Sequence, residues 1–64
     1  MKLPKSREER EKELQDLLAT PEGRRELQEL CARYEVASGR PKPPRTSIIT
    51  YVIVHERAHG LVNG

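Results

Sequence analysis

The chain has 64 residues, a formal net charge of +2 and one cysteine, Cys31. This length limits it to one domain, which buries about 60% of the surface that the unfolded chain exposes. A single cysteine excludes an intrachain disulfide and is typical of proteins in reducing compartments. Apolar residues make up 34% of the chain, and phenylalanine and tryptophan are absent. Because so thin a core is marginally stable alone, we expect a partner protein or a second copy to add to it.

Composition also indicates where the chain functions. The N-terminal residues lack the apolar run of a signal peptide. The longest apolar stretch, residues 48–54, is much shorter than the ~20 residues that span a membrane. A net charge of +2 does not by itself indicate nucleic-acid binding. We therefore expect a cytoplasmic protein without membrane contact, folded as a single domain over residues 1–64.

Helix-forming residues dominate the chain after Ser6, and residues 7–19 form the first predicted helix. Ser6 and Glu9 have the spacing of a capping box at a helix N-terminus. Three apolar residues recur with helical spacing toward the end of this segment: Leu14, Leu17 and Leu18. Residues 1–5 precede the cap and are predicted to be disordered.

A second helix is predicted over residues 21–38. Thr20 is a favourable N-cap, Pro21 fits the first helical position, and Gly39 is a typical helix end. Five residues recur with helical spacing and form an apolar face: Leu27, Leu30, Cys31, Tyr34 and Ala37. We expect Cys31 to be a buried, unreactive thiol, because nothing near it in the sequence lowers the pKa of its side chain.

Residues 39–46 form a proline-rich, basic connection. Its prolines forbid a helix and favour an extended backbone. It carries three cations without a neighbouring acid: Arg40, Lys42 and Arg45. These residues are candidates for contact with nucleic-acid phosphates. The alternative is a solvated linker, because short basic runs are unspecific signals.

The segment 46–55 supports two interpretations. Its β-branched and aromatic residues favour a strand, which would give an α+β fold. Thr46 and Ser47, however, are typical N-cap residues, and Gly60 is a typical helix end. Helical spacing relates Ile49, Val52, Ile53 and Glu56. We predict a helix over residues 47–59 and hence an all-α, three-helix domain, with the strand as the alternative.

The predicted third helix is apolar nearly all round, so two other short helices cannot cover all of its faces. Its uncovered residues would contact a partner protein or a second copy. The predicted contact residues are Ile48, Tyr51, Val52 and Val54. Tyr51 is the strongest single anchor, because aromatic residues are enriched at interface hot spots.

His55, Glu56 and His59 match the H-E-x-x-H motif and resemble the active helix of zincin hydrolases. The resemblance implies two zinc ligands on one helix face and a glutamate that activates the metal-bound water. A catalytic zinc needs a third protein ligand, and no spacing in the chain indicates one. The other interpretation is that Glu56, Arg57 and His59 form the polar end of the third helix. We predict no metal site, with His55 and His59 as the only candidates.

A second resemblance covers residues 46–62. This segment is similar to the final helix of a winged helix-turn-helix domain, with Gly60, Leu61 and Val62 where the wing begins. The resemblance implies DNA binding by the third helix. That helix, however, has Ile, Tyr and Val where base-reading polar side chains are expected. The nucleic-acid hypothesis therefore depends on the basic connection.

These features give three function hypotheses. The first is a non-enzymatic helical module that self-associates or binds a partner protein through the third helix. The second is a nucleic-acid-binding module that uses residues 40–45. The third is a zinc hydrolase that uses His55, Glu56 and His59. The first hypothesis requires no cofactor and no small-molecule substrate.

Overall fold

The computed structural model describes residues 5–63 of the chain. It contains three helices and two short strands. In chain order they are β1 (Lys5–Ser6), α1 (Arg7–Leu18), α2 (Pro21–Ser38), α3 (Ile48–Ala58) and β2 (Val62–Asn63). The predicted small three-helix fold is confirmed, and each helix boundary lies within one residue of its prediction. Most of the segment 46–55 belongs to α3, so the structure has a helix where the alternative prediction placed a strand.

A side-chain cap begins each helix. The capping hydroxyl accepts a hydrogen bond from the backbone N–H three residues later, which otherwise has no partner in the helix. The bonds run from Glu9 N to Ser6 Oγ (3.2 Å), from Gly23 N to Thr20 Oγ1 (3.0 Å) and from Thr50 N to Ser47 Oγ (3.2 Å). Local polar residues thus set all three helix starts.

Glycines in the left-handed region end α2 and α3. Gly39 has a φ of 73° and Gly60 a φ of 74°, a conformation that costs residues with a Cβ roughly 1 kcal/mol. After α3, the N–H of Leu61 donates to the carbonyl of Glu56 (2.8 Å), and the N–H of Gly60 donates to that of Arg57 (3.1 Å). This is a Schellman motif, and it confirms the helix end predicted at Gly60. The Leu61 side chain is 57% exposed.

A two-stranded parallel sheet joins the two ends of the described chain. Lys5 pairs with Val62, and Ser6 pairs with Asn63. Of the residues predicted to be disordered, 1–4 lie outside the described residues, whereas Lys5 is paired in β1. Val62 is 4% exposed, so β2 contributes a buried apolar side chain.

The core lies between the three helices. Its buried members are Leu14, Leu27, Cys31, Val52 and Ile53. Cys31 is 5% exposed, and burial raises the pKa of its thiol, as does the nearby carboxylate of Glu35. The predicted buried thiol is therefore confirmed, and its reactive thiolate form is disfavoured. None of the described helices has the length and apolar character to cross a membrane.

Candidate functional site

A buried carboxylate lies at the end of α3, within the sequence HERAH. The Glu56 side chain is 5% exposed. Arg10 in α1 binds it with two hydrogen bonds, from Nε to Oε1 (2.7 Å) and from Nη2 to Oε2 (2.8 Å). The hydroxyl of Tyr34 in α2 donates to the same Oε2 (2.6 Å). This Arg10–Glu56–Tyr34 cluster therefore connects all three helices through one carboxylate.

The cluster continues to the surface through Glu13. Arg10 Nη1 donates to Glu13 Oε1 (3.4 Å), and Lys5 Nζ donates to Glu13 Oε2. The hydrogen bond from Lys5 is the largest effect that lowers the pKa of Glu13. The hydrogen bonds to Glu56 raise the pKa of Arg10. These contacts keep Arg10 charged and attach β1 to α1.

Two histidine rings lie next to the Tyr34 ring of the cluster. The centroid of the His55 ring lies 4.1 Å from the centroid of the Tyr34 ring, and the angle between the two ring planes is 16°. The His59 ring lies 4.4 Å from the His55 ring and is tilted by 33°. The two histidines therefore share one helix face, as their four-residue spacing predicts. His55 is half-buried and His59 is exposed.

The position of Glu56 argues against its role in a zincin motif. Both of its carboxylate oxygens are occupied by Arg10 and Tyr34, so neither is free to activate a metal-bound water. Within residues 5–63, no group of three or more His, Cys, Asp or Glu side chains is placed to hold a metal ion. The other interpretation, a polar end of the third helix, agrees with the positions of these residues, although Glu56 is buried within that end. Arg57 and His59 are exposed.

The environment of Tyr34 predicts a measurable pH dependence. Burial, and then the hydrogen bond to Glu56, raise the pKa of its phenol to about 12, whereas an unfolded tyrosine titrates near about 10. The unfolded chain therefore loses this proton first. The stabilisation from Tyr34 should be complete below about pH 10 and decline between about pH 10 and 12.

A Tyr51→Phe variant isolates this titration, because Tyr34 is then the only tyrosine in the chain. We expect the ultraviolet absorbance of the phenolate to rise with a midpoint near pH 12. Circular dichroism recorded at each pH reports whether the helices persist. An absorbance midpoint at about pH 10, with the full helical signal retained, would contradict the environment described for Tyr34.

The four predicted contact residues of α3 differ in exposure. Val52 is completely buried in the core. It offers no surface to a partner, so its prediction as a contact residue is wrong. Ile48 and Tyr51 are half-buried, whereas Val54 is 58% exposed. The available contact surface of α3 is therefore the face that carries Tyr51 and Val54.

That face borders an apolar groove of 330 Å³, which we call the α3 groove. The proline-rich connection forms one wall and α3 forms the other. Its apolar lining consists of Pro41, Pro43, Tyr51, Val54 and Ala58, and its polar lining residues are Ser38, Arg40 and His55. The Tyr51 hydroxyl lies 3.3 Å from Ser38 Oγ and donates to the Arg40 carbonyl (3.4 Å). Tyr51 thus holds the connection against α3.

The basic connection separates its three cations. Arg40 and Arg45 are exposed. Lys42 is half-buried, and its ammonium donates to the carbonyls of Thr46 (2.7 Å) and Pro43 (3.1 Å). Its backbone N–H donates to Glu35 (2.7 Å). Lys42 therefore stabilises the loop, and only two of the three predicted phosphate-binding residues present their charge to solvent.

The chain has no significant match to a protein-family model, a curated protein or a solved structure.

Proposed function

We propose that the chain is a non-enzymatic protein–protein interaction module whose contact surface is the α3 groove. The observation that carries the proposal is Val54, a large apolar side chain that is 58% exposed on the wall of an apolar groove. Exposed apolar side chains that occur singly need no explanation. Val54, however, is continuous with Tyr51 and two prolines, and such concave apolar surfaces are typical binding sites.

The groove is also preorganised. Pro41 and Pro43 restrict the backbone of one wall. The hydroxyl of Tyr51 and the ammonium of Lys42 hold that wall to the helices and to the loop itself. A rigid surface loses less conformational entropy on binding, so more of the contact energy becomes affinity. The engagement of Glu56 in an ion pair supports the non-enzymatic part of the proposal.

The proposal is tested by Val54→Glu, with Leu61→Glu as the matched control. Leu61 is 57% exposed and is not part of the α3 groove. Glutamate is a better helix former than valine, so Val54→Glu preserves α3. We expect it to weaken binding at least tenfold, because a buried valine contributes about 1.5–3 kcal/mol. The control should bind like the unmodified chain.

Two measurements cover the two kinds of occupant. Light scattering over a concentration series detects a second copy, and selection from a displayed random-peptide library detects a foreign segment. In either measurement, association should be lost in Val54→Glu and kept in Leu61→Glu. A chain that stays monomeric and selects no peptide would overturn the proposal, as would association that is insensitive to Val54.

Nucleic-acid binding is the second candidate function. Its support is the exposure of Arg40 and Arg45 beside a loop without exposed acids. A salt-dependent mobility shift of duplex DNA that is lost in Arg40→Ala/Arg45→Ala would favour this candidate. The absence of a shift at low salt would exclude it.

A further inference from the structure

Charge is distributed unevenly over the molecule. After Glu35, the sequence contains one carboxylate side chain, that of Glu56, and this side chain is buried against Arg10. The same part of the sequence contains four cations: Arg40, Lys42, Arg45 and Arg57. Residues 36–63 therefore expose positive side chains and no side-chain carboxylate.

One of these cations lines the α3 groove, and a second lies on the helix that forms one of its walls. Arg40 is part of its lining. Arg57 is exposed on α3 three residues after Val54, so the two side chains are neighbours on the helix surface. The ion pairs within residues 5–63 involve neither arginine. An apolar side chain that enters the groove would place its flanking residues beside two uncompensated guanidinium groups.

We propose that the occupant of the α3 groove is an acidic peptide segment of a partner protein, with an apolar anchor flanked by Asp or Glu residues. This inference rests on the proposed function. The anchor lies against Tyr51, Val54 and the prolines, and the flanking carboxylates bind Arg40 and Arg57. Guanidinium groups recognise carboxylates through paired hydrogen bonds, and the matching charges also accelerate encounter.

The same observations disfavour two other occupants. A second copy carries its exposed acids on α1 and α2. The first turns of α1, REEREKE, contain no apolar anchor for the groove. Val36 of α2 is 83% exposed, but the carboxylate of the adjacent Glu35 already accepts a hydrogen bond from the Lys42 N–H. A nucleic acid would satisfy the arginines with phosphates. The apolar walls around Val54, however, would then contact a highly charged backbone. An acidic peptide with an apolar anchor fits both the apolar lining and the arginines.

Three labelled peptides of equal length test the inference by fluorescence anisotropy. Each has a central Trp-Leu anchor, flanked by Asp and Glu, by Ser and Gly, or by Lys and Arg. We expect the acidic peptide to bind about tenfold more tightly than the neutral one, as two exposed ion pairs allow. The basic peptide should bind most weakly, and added salt should reduce these differences.

Matched variants locate the charge effect. Arg40→Gln/Arg57→Gln should remove the preference for the acidic peptide and keep binding of the neutral one. Arg24→Gln/Arg25→Gln removes the same charge from exposed positions in the first turns of α2, about 20 Å along that helix from the groove. This control should keep the preference.

The outcomes separate the inference from the proposed function. If acidic and neutral peptides bind equally and both require Val54, the acidic partner is overturned and the interaction module stands. A homodimer that Val54→Glu dissociates, without binding of any peptide, would likewise overturn the acidic partner and leave the interaction module standing. Duplex DNA bound through Arg40 and Arg57, independently of Val54 and in preference to the acidic peptide, would overturn both.

Discussion

Replacement of Glu56 by alanine is expected to destabilise the chain by about 3–5 kcal/mol, the usual effect of removing one partner of a buried ion pair. The substitution removes two hydrogen bonds from Arg10 and one from Tyr34. It leaves both donors beside a cavity. A chain of this length has a total folding free energy of about 3–9 kcal/mol. Glu56→Ala should therefore lose at least about a third of its folding free energy.

Urea denaturation followed by circular dichroism measures this effect. Glu13→Ala is the control on the exposed side of the same network, and it should cost much less stability than Glu56→Ala because surface ion pairs contribute little. A second variant, Arg10→Met/Glu56→Met, replaces the pair with apolar side chains of similar length. We expect it to recover much of the lost stability, because well-packed apolar substitutes for buried ion pairs are often tolerated. A cost below about 1 kcal/mol for Glu56→Ala would contradict the structural role of the cluster.

The partners of Glu56 were not predicted from the sequence, although a signal for them exists. Arg10 lies four residues before Leu14, and Glu56 lies three residues after Ile53. Both charges therefore continue the buried faces of their helices. Opposite charges one turn from two core positions indicate an ion pair across the helix interface. The H-E-x-x-H pattern relates residues of one helix only, whereas Arg10 is distant in the sequence.

The helices were predictable because their boundaries depend on local chemistry. Ser6, Thr20 and Ser47 cap the helix starts, and Gly39 and Gly60 supply the left-handed conformation at two ends. These residues act within one turn of their own position. The β-branched residues of α3 favour a strand. The N-cap and the packing of α3 against two helices together outweigh this preference and stabilise the helix.

Non-local features were not predictable in the same way. The strands β1 and β2 have two residues each, which is too short to show an alternating pattern. Their pairing follows from the positions of the helices. The burial of Val52 is a different case, because the helical spacing of Ile49, Val52, Ile53 and Glu56 already indicates the face of α3 that packs inward. Tyr51 and Val54 are then left on the side of the proline-rich connection.

Gly23→Ala should destabilise the chain, although alanine is normally the better residue in a helix by about 1 kcal/mol. Gly23 lies in the first turn of α2 and is buried against the end of α1. A Cβ at this position would overlap the backbone of Leu17, lying 2.7 Å from its carbonyl carbon. A backbone group cannot rotate away as a side chain can, so the two helices must separate. Overpacking of this kind costs about 3 kcal/mol, and the gain in helix propensity offsets part of it. We expect a net loss of about 2 kcal/mol and a melting temperature lower by about 10 °C.

Gln28→Ala, at an exposed position of the same helix, should change stability by less than about 0.5 kcal/mol. A melting temperature that rises in Gly23→Ala would show that helix propensity dominates and that α1 and α2 do not approach this closely.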